Sequence, residues 1–435
     1  MASVLLALAQ TGVAAASGAD AAEPHAIVGT GVGAGKGTPT VVEDPRLANQ
    51  VARARAGFMA SQPFDRFDVT VLVRDSRHGD ARGGAVWRRG AAGGDRLAYP
   101  ASCVKLGYLV AAVHWCAEQG RSAECLDADV RPMIVESDNV ATGRVVDAIS
   151  GVQNATGTVT EPAFETWLER RRYTERVLEG HGLLGQQKLL TKTYPTNSGE
   201  APTGFEQRAL EVHGRNAMSA DLAAALMLGI VSGRVEPQAT SYMRSLLARK
   251  RFTDQGSLAA GTPPGTRVEN KIGVAFDTLE DIAWLRLPDG RELVIAAFSN
   301  GWDQREPEPW DVLRLGGFTA ALLDRLGSAR TSRLLQPHQP TANTWRLRAP
   351  RAGRYELALW YVATPGNTAQ ARYRIEGGPV SQTVVFDQRI WGARWLPLAE
   401  LELRRGATLA VRADALAPGT LSAGQIRFAY VPPER

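Results

Sequence analysis

The residue types best suited to chemistry in this chain fall into three short runs. In Ser102-Cys103-Val104-Lys105 a hydroxyl and an amine stand three positions apart. On a helix, positions i and i+3 share a face, so the amine can reach the hydroxyl. A hydroxyl becomes a nucleophile when a base removes its proton. Lysine is such a base once burial and neighbouring positive charge lower its pKa. The second run, Ser137-Asp138-Asn139, adds a hydroxyl able to relay a proton and a side-chain amide able to hold a substrate amide. In the third, Lys271-Ile272-Gly273, the amine offers a fixed positive charge to a substrate carboxylate. Gly273 lets substrate backbone lie against the strand edge. Each run has a plain structural reading as well: Ser102 as an N-cap, 137–139 as a turn and cap, Lys271 as a solvated strand end. A Ser followed three positions later by Lys arises by chance about once in a chain this long. The three runs together, each on a fitting element, favour the chemical reading.

The elements that must position them follow from periodicity. Leu47–Met59 reads as a helix, Val69–Val73 as a strand and Gly83–Trp87 as a second strand, with Gly90–Gly94 as its turn region. Val104–Trp115 is almost wholly apolar and long enough for a buried helix, with Ser102 at its N-terminus, where free N–H groups and the dipole favour negative charge. Helical patterns follow at Thr142–Ile149, Phe164–Arg172 and Ala220–Val231. Strand patterns return at Arg267–Val274, Ile282–Leu287 and Leu293–Ser299, the last two joined by Pro-Asp-Gly, before a helix at Val312–Leu326. Strands at both ends with helices between predict an α+β domain whose single sheet is completed by both termini. Beyond it, short strands recur at Tyr355–Val362, Ala371–Ile375, Gln382–Phe386, Leu398–Leu403, Thr408–Arg412 and Ile426–Tyr430, the spacing of a small β-sandwich. The expected organisation is leader and linker over 1–45, the α+β domain over 46–326, a linker over 327–343 and the sandwich over 344–435.

Composition narrows the class. At 435 residues the chain is long enough for two or three domains. A net charge of +5 is too thin at this length for a nucleic-acid partner, and no apolar run reaches the 18 residues a membrane span needs. Ala19-Asp20-Ala21 suits a signal-peptide cleavage site, although residues 1–22 lack the basic n-region. The two readings are an export signal, which we favour and which places the protein in a secreted or periplasmic setting, and a flexible Ala/Gly leader. Gly35-Lys36 is no phosphate loop, since Thr30 and Gly37 occupy positions that need Gly and Ser/Thr. Cys116 and Cys125, nine apart, either bridge in an oxidising compartment or remain buried thiols. There is no C-x-x-C pair, no H-E-x-x-H and no G-x-S-x-G, so no metal and no cofactor is expected. The six histidines (His25, His78, His114, His181, His213, His338) do not group in sequence; His114 reads as a satisfied core residue, and Cys103 as packing.

From about residue 45 to 326 the chain resembles the penicillin-recognising serine hydrolases of the class A β-lactamase-like type, which carry S-x-x-K, S-D-N and K-T-G in this order. Tyr99-Pro100-Ala101, the run Gly214 to Leu222 and the strand–Pro-Asp-Gly–strand ending match as well. The resemblance implies Ser102 as nucleophile and Lys105 as base. It also implies a proton relay through Ser137 and Lys271, substrate contact from Asn139, and an oxyanion hole from the N–H groups of Ser102 and Val274 beside Gly273. The chain departs from that pattern in three places. Ile272 replaces a hydroxyl residue, the two serines are only 35 positions apart, and no complete E-x-x-L-N stretch follows. Its nearest approach is Glu165-Thr166-Trp167-Leu168-Glu169, so Glu165 is the best counterpart of a deacylating Glu. Glu165, Glu169, Glu175 and Glu179 read equally as solvated helix charges.

The last hundred residues resemble the golvesin C-terminal-like module, through Tyr355–Tyr361, Ala371–Ile375, Phe386-Asp387-Gln388, Trp395–Leu398 and Ile426–Phe428; Ala423-Gly424-Gln425 stands where that family has a small-Asp-Ala ending. The resemblance implies attachment to a polysaccharide or cell-envelope surface. Trp360, Trp391 and Trp395 either form a stacking platform or belong to the core. The expectation is an exported serine hydrolase acting by acyl transfer on a β-lactam, a D-amino-acid peptide or another ester. The alternative is a catalytically weak binding protein on the same fold.

Overall fold

The computed structural model describes residues 39–60, 64–79, 84–155, 157, 159–184, 202–249, 256–263, 266–275, 277–301, 314–327, 340–361, 364–389 and 396–431. The leader with its signal-like site, Gly35-Lys36, and most of the 327–343 linker lie outside them.

The first domain is built on one sheet. Strand β1 (Thr40–Glu43) precedes helix α1 (Pro45–Met59), which Asp44 caps by accepting from the N–H groups of Arg46 (2.8 Å) and Leu47 (3.2 Å). Leu47, Val51, Ala54 and Phe58, at spacings of four and three, form its buried stripe. Strands β2 (Arg66–Gly79) and β3 (Ala85–Ala92) follow, then the short β4 (Leu97–Ala98). A helical layer comes next: α2 (Lys105–Glu118), α3 (Asp127–Val135), α4 (Asn139–Ser150), α5 (Glu161–Arg171), α6 (Tyr173–Gly180) and α7 (Gly204–His213). After β5 (Met218–Ser219), which pairs with β4, come α8 (Ala220–Val231), α9 (Thr240–Leu247) and α10 (Gly256–Ala259). Strands β6 (Arg267–Ala275), β7 (Thr278–Arg286) and β8 (Glu292–Asn300) and helix α11 (Leu315–Arg325) close the domain.

The six-stranded sheet has the order β1-β3-β2-β8-β7-β6, so strands from both ends of the domain complete it. Period-2 alternation sends Val69 and Val71 to one face and Leu72 to the other. On the first face lie α1, α10 and α11, where Phe67 packs against Phe58 and Phe318 with ring centroids 4.9 and 5.1 Å away. On the second face α8 lies over the sheet and α2 runs through the middle of the helices, buried nearly all round.

Several expectations shift. Thr40–Glu43, inside the segment read as leader and linker, pairs in parallel with Val86–Arg89. The strand expected to end at Trp87 runs on to Ala92, and Gly90 is there for close approach rather than turning. A Cβ on it would stand 2.6 Å from the Ala48 backbone nitrogen of α1. Helices α3, α6, α7 and α9, of eight to ten residues each, are too short to stand out from pattern, and α3 contains Pro132.

The C-terminal region is all β: β9 (Thr344–Arg348), β10 (Gly353–Trp360), β11 (Ala371–Gly377), β12 (Val380–Phe386), β13 (Leu396–Leu403), β14 (Thr408–Ala415) and β15 (Gln425–Val431). They form two antiparallel sheets, β13-β10-β15 and β12-β11-β14-β9, whose shared core holds Trp345, Tyr355, Leu357, Tyr361, Tyr373 and Val411. Gln388 is fully buried and donates to Tyr373 Oη (2.8 Å) and Ser422 O (2.6 Å), which ties the loop after β12 to the loop before β15. The side chains of Trp360, Trp391 and Trp395 lie outside the described residues.

Candidate active site

Ser102 sits in a short 3₁₀ turn, Ala101–Val104, that feeds into α2, so it precedes the buried helix rather than forming its first α-helical turn. Ala101 holds φ +42°, a left-handed conformation costly for a residue with a Cβ. Ser137 holds φ +59°, immediately before α4, where Asp138 caps the helix by accepting from Ala141 N–H at 2.6 Å. Strained non-glycine backbone beside Ser102 and at Ser137 marks positions that the surrounding structure holds in place.

The three runs meet. Lys105 is fully buried and its Nζ donates to Ser137 O (2.6 Å), Ser137 Oγ (3.2 Å) and Asn139 Oδ1 (2.8 Å). Lys271 reaches the same hydroxyl from β6, with Nζ 2.9 Å from Ser137 Oγ and 2.9 Å from Ile272 O. Strand β6 also lies against the turn that carries Ser102. Cys103 Sγ donates to Lys271 O at 3.2 Å, and a Cβ on Gly273 would stand 2.8 Å from Pro100 O. Only glycine lets the strand pass this close. Ser102, Ser137 and Asn139 are partly exposed, and Val274 is exposed at the outer strand of the sheet.

The electrostatics favour a neutral base. Burial pushes Lys105 down to about 6, with the positive charge of Lys271 adding to it and Asp138 opposing. Burial lowers Lys271 to about 8, with Arg249 acting in the same direction. A neutral Lys105 has two hydrogens, which suit its two shorter contacts, and a lone pair left for a hydroxyl proton. Ser137 Oγ, with two lone pairs and one hydrogen, can accept from Lys271 and pass its own proton on. Asn139 gives its carbonyl oxygen to Lys105, which leaves its NH₂ for a substrate carbonyl.

A buried layer behind Lys271 was not read from the sequence. Asn270 Nδ2 donates to Asp281 Oδ1 (2.9 Å), Leu258 N–H donates to Asp281 Oδ2 (2.9 Å), and Arg249 Nε donates to Asn270 Oδ1 (2.9 Å). Burial raises Asp281 to about 7 and holds Glu280, beside Gly273, well above the usual carboxylate range. Two adjacent acids inside the otherwise apolar β7 were the signal available for both. Burial also keeps Cys103 as a thiol, consistent with packing.

Other expectations are settled by position. Cys116 and Cys125 are bonded to each other. Ile272 is half-buried and packs on the α1–α10–α11 layer. Glu165 is exposed on α5, whose buried face is Phe164, Trp167 and Arg171, while Glu175 is buried against Arg172 instead of solvated. The expectation that the histidines do not group fails in space: His114 and His181 meet at Glu236, and His114 is partly exposed rather than a core residue. A cavity of about 350 Å³ beside Tyr99, lined by Arg66, Arg215, Asp277 and Asn300 among others, includes no residue of the three runs.

Residues 126–314 match the model of the Beta-lactamase enzyme family, and residues 327–430 match that of the Golvesin C-terminal domain. The chain is similar to Golvesin of Dictyostelium discoideum, 27% identical over 404 residues, which covers 83% of this chain and 68% of that protein. Such coverage extends well beyond the C-terminal domain. Among solved structures it is similar to a β-lactamase from Sphaerobacter thermophilus, with TM-score 0.46, 18% identity, 65% of this chain and 98% of the other. It is also similar to PBP-A, with TM-score 0.45, 16% identity, 68% of this chain and 99% of the other.

Proposed function

We propose that this chain, a β-lactamase-family domain followed by a Golvesin C-terminal domain, is an exported serine hydrolase that forms an acyl-enzyme at Ser102. The observation that carries the reading is the meeting of Lys105 and Lys271 on Ser137 Oγ beside the Ser102 turn. Neutral Lys105 takes the Ser102 proton as the hydroxyl attacks an amide or ester carbonyl. The carbonyl oxygen gains negative charge and is held by the N–H groups of Ser102 and Val274. Ser137, fed by Lys271, passes a proton to the leaving amine or alcohol as the carbonyl bond breaks. Asn139 and the open edge of β6 at Gly273 orient the substrate. The Cys116–Cys125 bond fits an oxidising compartment, and the C-terminal sandwich is the part that would attach to a polymer or envelope surface.

The exposed position of Glu165 favours slow hydrolysis of the acyl-enzyme, and it keeps a weakly catalytic binding protein as the second reading. Incubation with a penicillin-type probe, followed by intact mass over time, separates the two. A mass gain that decays slowly or persists supports an acyl-enzyme at Ser102 with slow deacylation, and the absence of any gain favours the binding protein. No gain with that probe or with a fluorophosphonate rejects acyl transfer.

A further inference from the structure

We infer that His114, His181 and Glu236 form a binding site for one divalent transition-metal ion, of the zinc class, separate from the acyl-transfer residues. The three come from different segments. His114 lies in α2, His181 follows α6, and Glu236 precedes a short 3₁₀ turn, Pro237–Ala239. Glu236 Oε1 stands 2.6 Å from His114 Nδ1 and 3.1 Å from His181 Nε2, and one ligand atom from each residue lies within 4.8 Å of the others. Ligands around a tetrahedral zinc ion stand about 3.4 Å apart, given bonds near 2 Å, so small side-chain rotations bring all three onto one ion. Two imidazoles and a carboxylate form a borderline-soft donor set with room for a fourth ligand, which suits zinc, cobalt or nickel better than magnesium or calcium.

The surroundings fit ligation. With Nδ1 as the ligand atom, His114 turns Nε2 toward Glu118 Oε1, 3.4 Å away, and Glu118 also accepts from Tyr173 Oη. A carboxylate behind a ligating histidine fixes its tautomer and raises its basicity. Glu236 is held at φ +46°, left-handed for a residue with a Cβ, and this conformation delivers its carboxylate between the two rings. The side chains are 31, 21 and 11% exposed, so an ion can enter from solvent. His114 lies nine residues beyond Lys105 on the same helix, about 13 Å along the axis. The ion would therefore tie α2, α6 and the segment before α9 together rather than touch substrate.

The test uses the full chain, stripped with a chelator and dialysed. Cobalt(II) is titrated while visible absorption is recorded, and zinc is titrated by calorimetry. We expect one equivalent per chain, intense cobalt bands of a four-coordinate site, and a higher melting temperature with zinc. Glu118→Gln weakens binding by about 10–100-fold, His181→Ala and Glu236→Gln weaken it further, and His213→Ala leaves it unchanged. Near-UV circular dichroism of each variant confirms folding without relying on activity. The inference is overturned if the folded wild type takes up less than one equivalent, or if Glu236→Gln and His181→Ala bind as tightly as wild type. In either case the cluster is only a charge-paired contact.

Discussion

The pH dependence of acylation follows directly from the burial of Lys105. Its amine has no exposed surface and sits beside Lys271, and together these hold it at about 6. About a tenth of the lysine is then neutral at pH 5 and about 99% at pH 8, so base-assisted attack rises roughly elevenfold and levels off between pH 7 and 8, before Lys271, held at about 8, loses the proton it supplies to Ser137. A lysine left at its ordinary value would be less than about 1% neutral even at pH 8, and the rate would climb tenfold per pH unit with no plateau. The assay is the second-order rate of adduct formation at Ser102 with a fluorophosphonate, followed by intact mass between pH 5 and 9. Replacing Lys271 with Met removes the neighbouring positive charge that depresses Lys105, so the midpoint moves upward. A flat profile, a profile still rising at pH 9, or a midpoint unmoved in Lys271→Met would refute the neutral-lysine mechanism.

Other consequences are open to measurement. Ser137→Ala should slow acylation about 10²–10⁴-fold without loss of fold, because it removes the hydroxyl shared by both amines; unchanged labelling kinetics would remove Ser137 from the relay. Gly273→Ala brings a Cβ to 2.8 Å from the Pro100 carbonyl, so strand and turn must separate; a stability loss of about 1–3 kcal/mol with slower labelling is expected in urea melts and rate assays. Glu280 has its pKa raised by burial, so the folded state binds more protons than the unfolded one, and stability falls as pH rises above about 4.5. Glu280→Gln should therefore raise Tm at pH 8 with little change at pH 4; equal effects at both values would show that the carboxyl is not held neutral. Reduction of Cys116–Cys125, which closes a short loop, should cost about 2–3 kcal/mol, visible as a lower Tm in dithiothreitol.

Much of this arrangement can be read before any coordinates, and the reasons are local. The apolar run before Trp115 fixes α2 because no other element that long could be so uniformly buried. The alternation at Val69–Val73 and the continuous apolar run at Leu293–Ser299 each read as a strand, and the structure pairs the two in one sheet. The convergence of Lys105 and Lys271 is foreshadowed by order and type in the three runs, but its distances depend on how β6 packs against the Ser102 turn. What stays hidden is of two kinds. Short helices such as α6 and α7, of eight and ten residues, owe their form to tertiary contacts. Long-range meetings such as His114 with Glu236, 122 positions apart, leave no trace in local spacing. Glu280 and Asp281 fall just before the strand expected at Ile282–Leu287, and only its extension back to Thr278 places them behind Lys271.

The central claim is geometric: Ser102, Lys105, Ser137 and Lys271 surround one reacting carbonyl. A crystal structure of the chain after fluorophosphonate treatment tests it most directly. The account predicts a phosphonyl group on Ser102 Oγ, with its oxygen within hydrogen-bond distance of the Ser102 and Val274 N–H groups, and with both lysines still on Ser137. An adduct on another residue, or a Ser102 adduct whose oxygen turns away from Val274 into solvent, would contradict it.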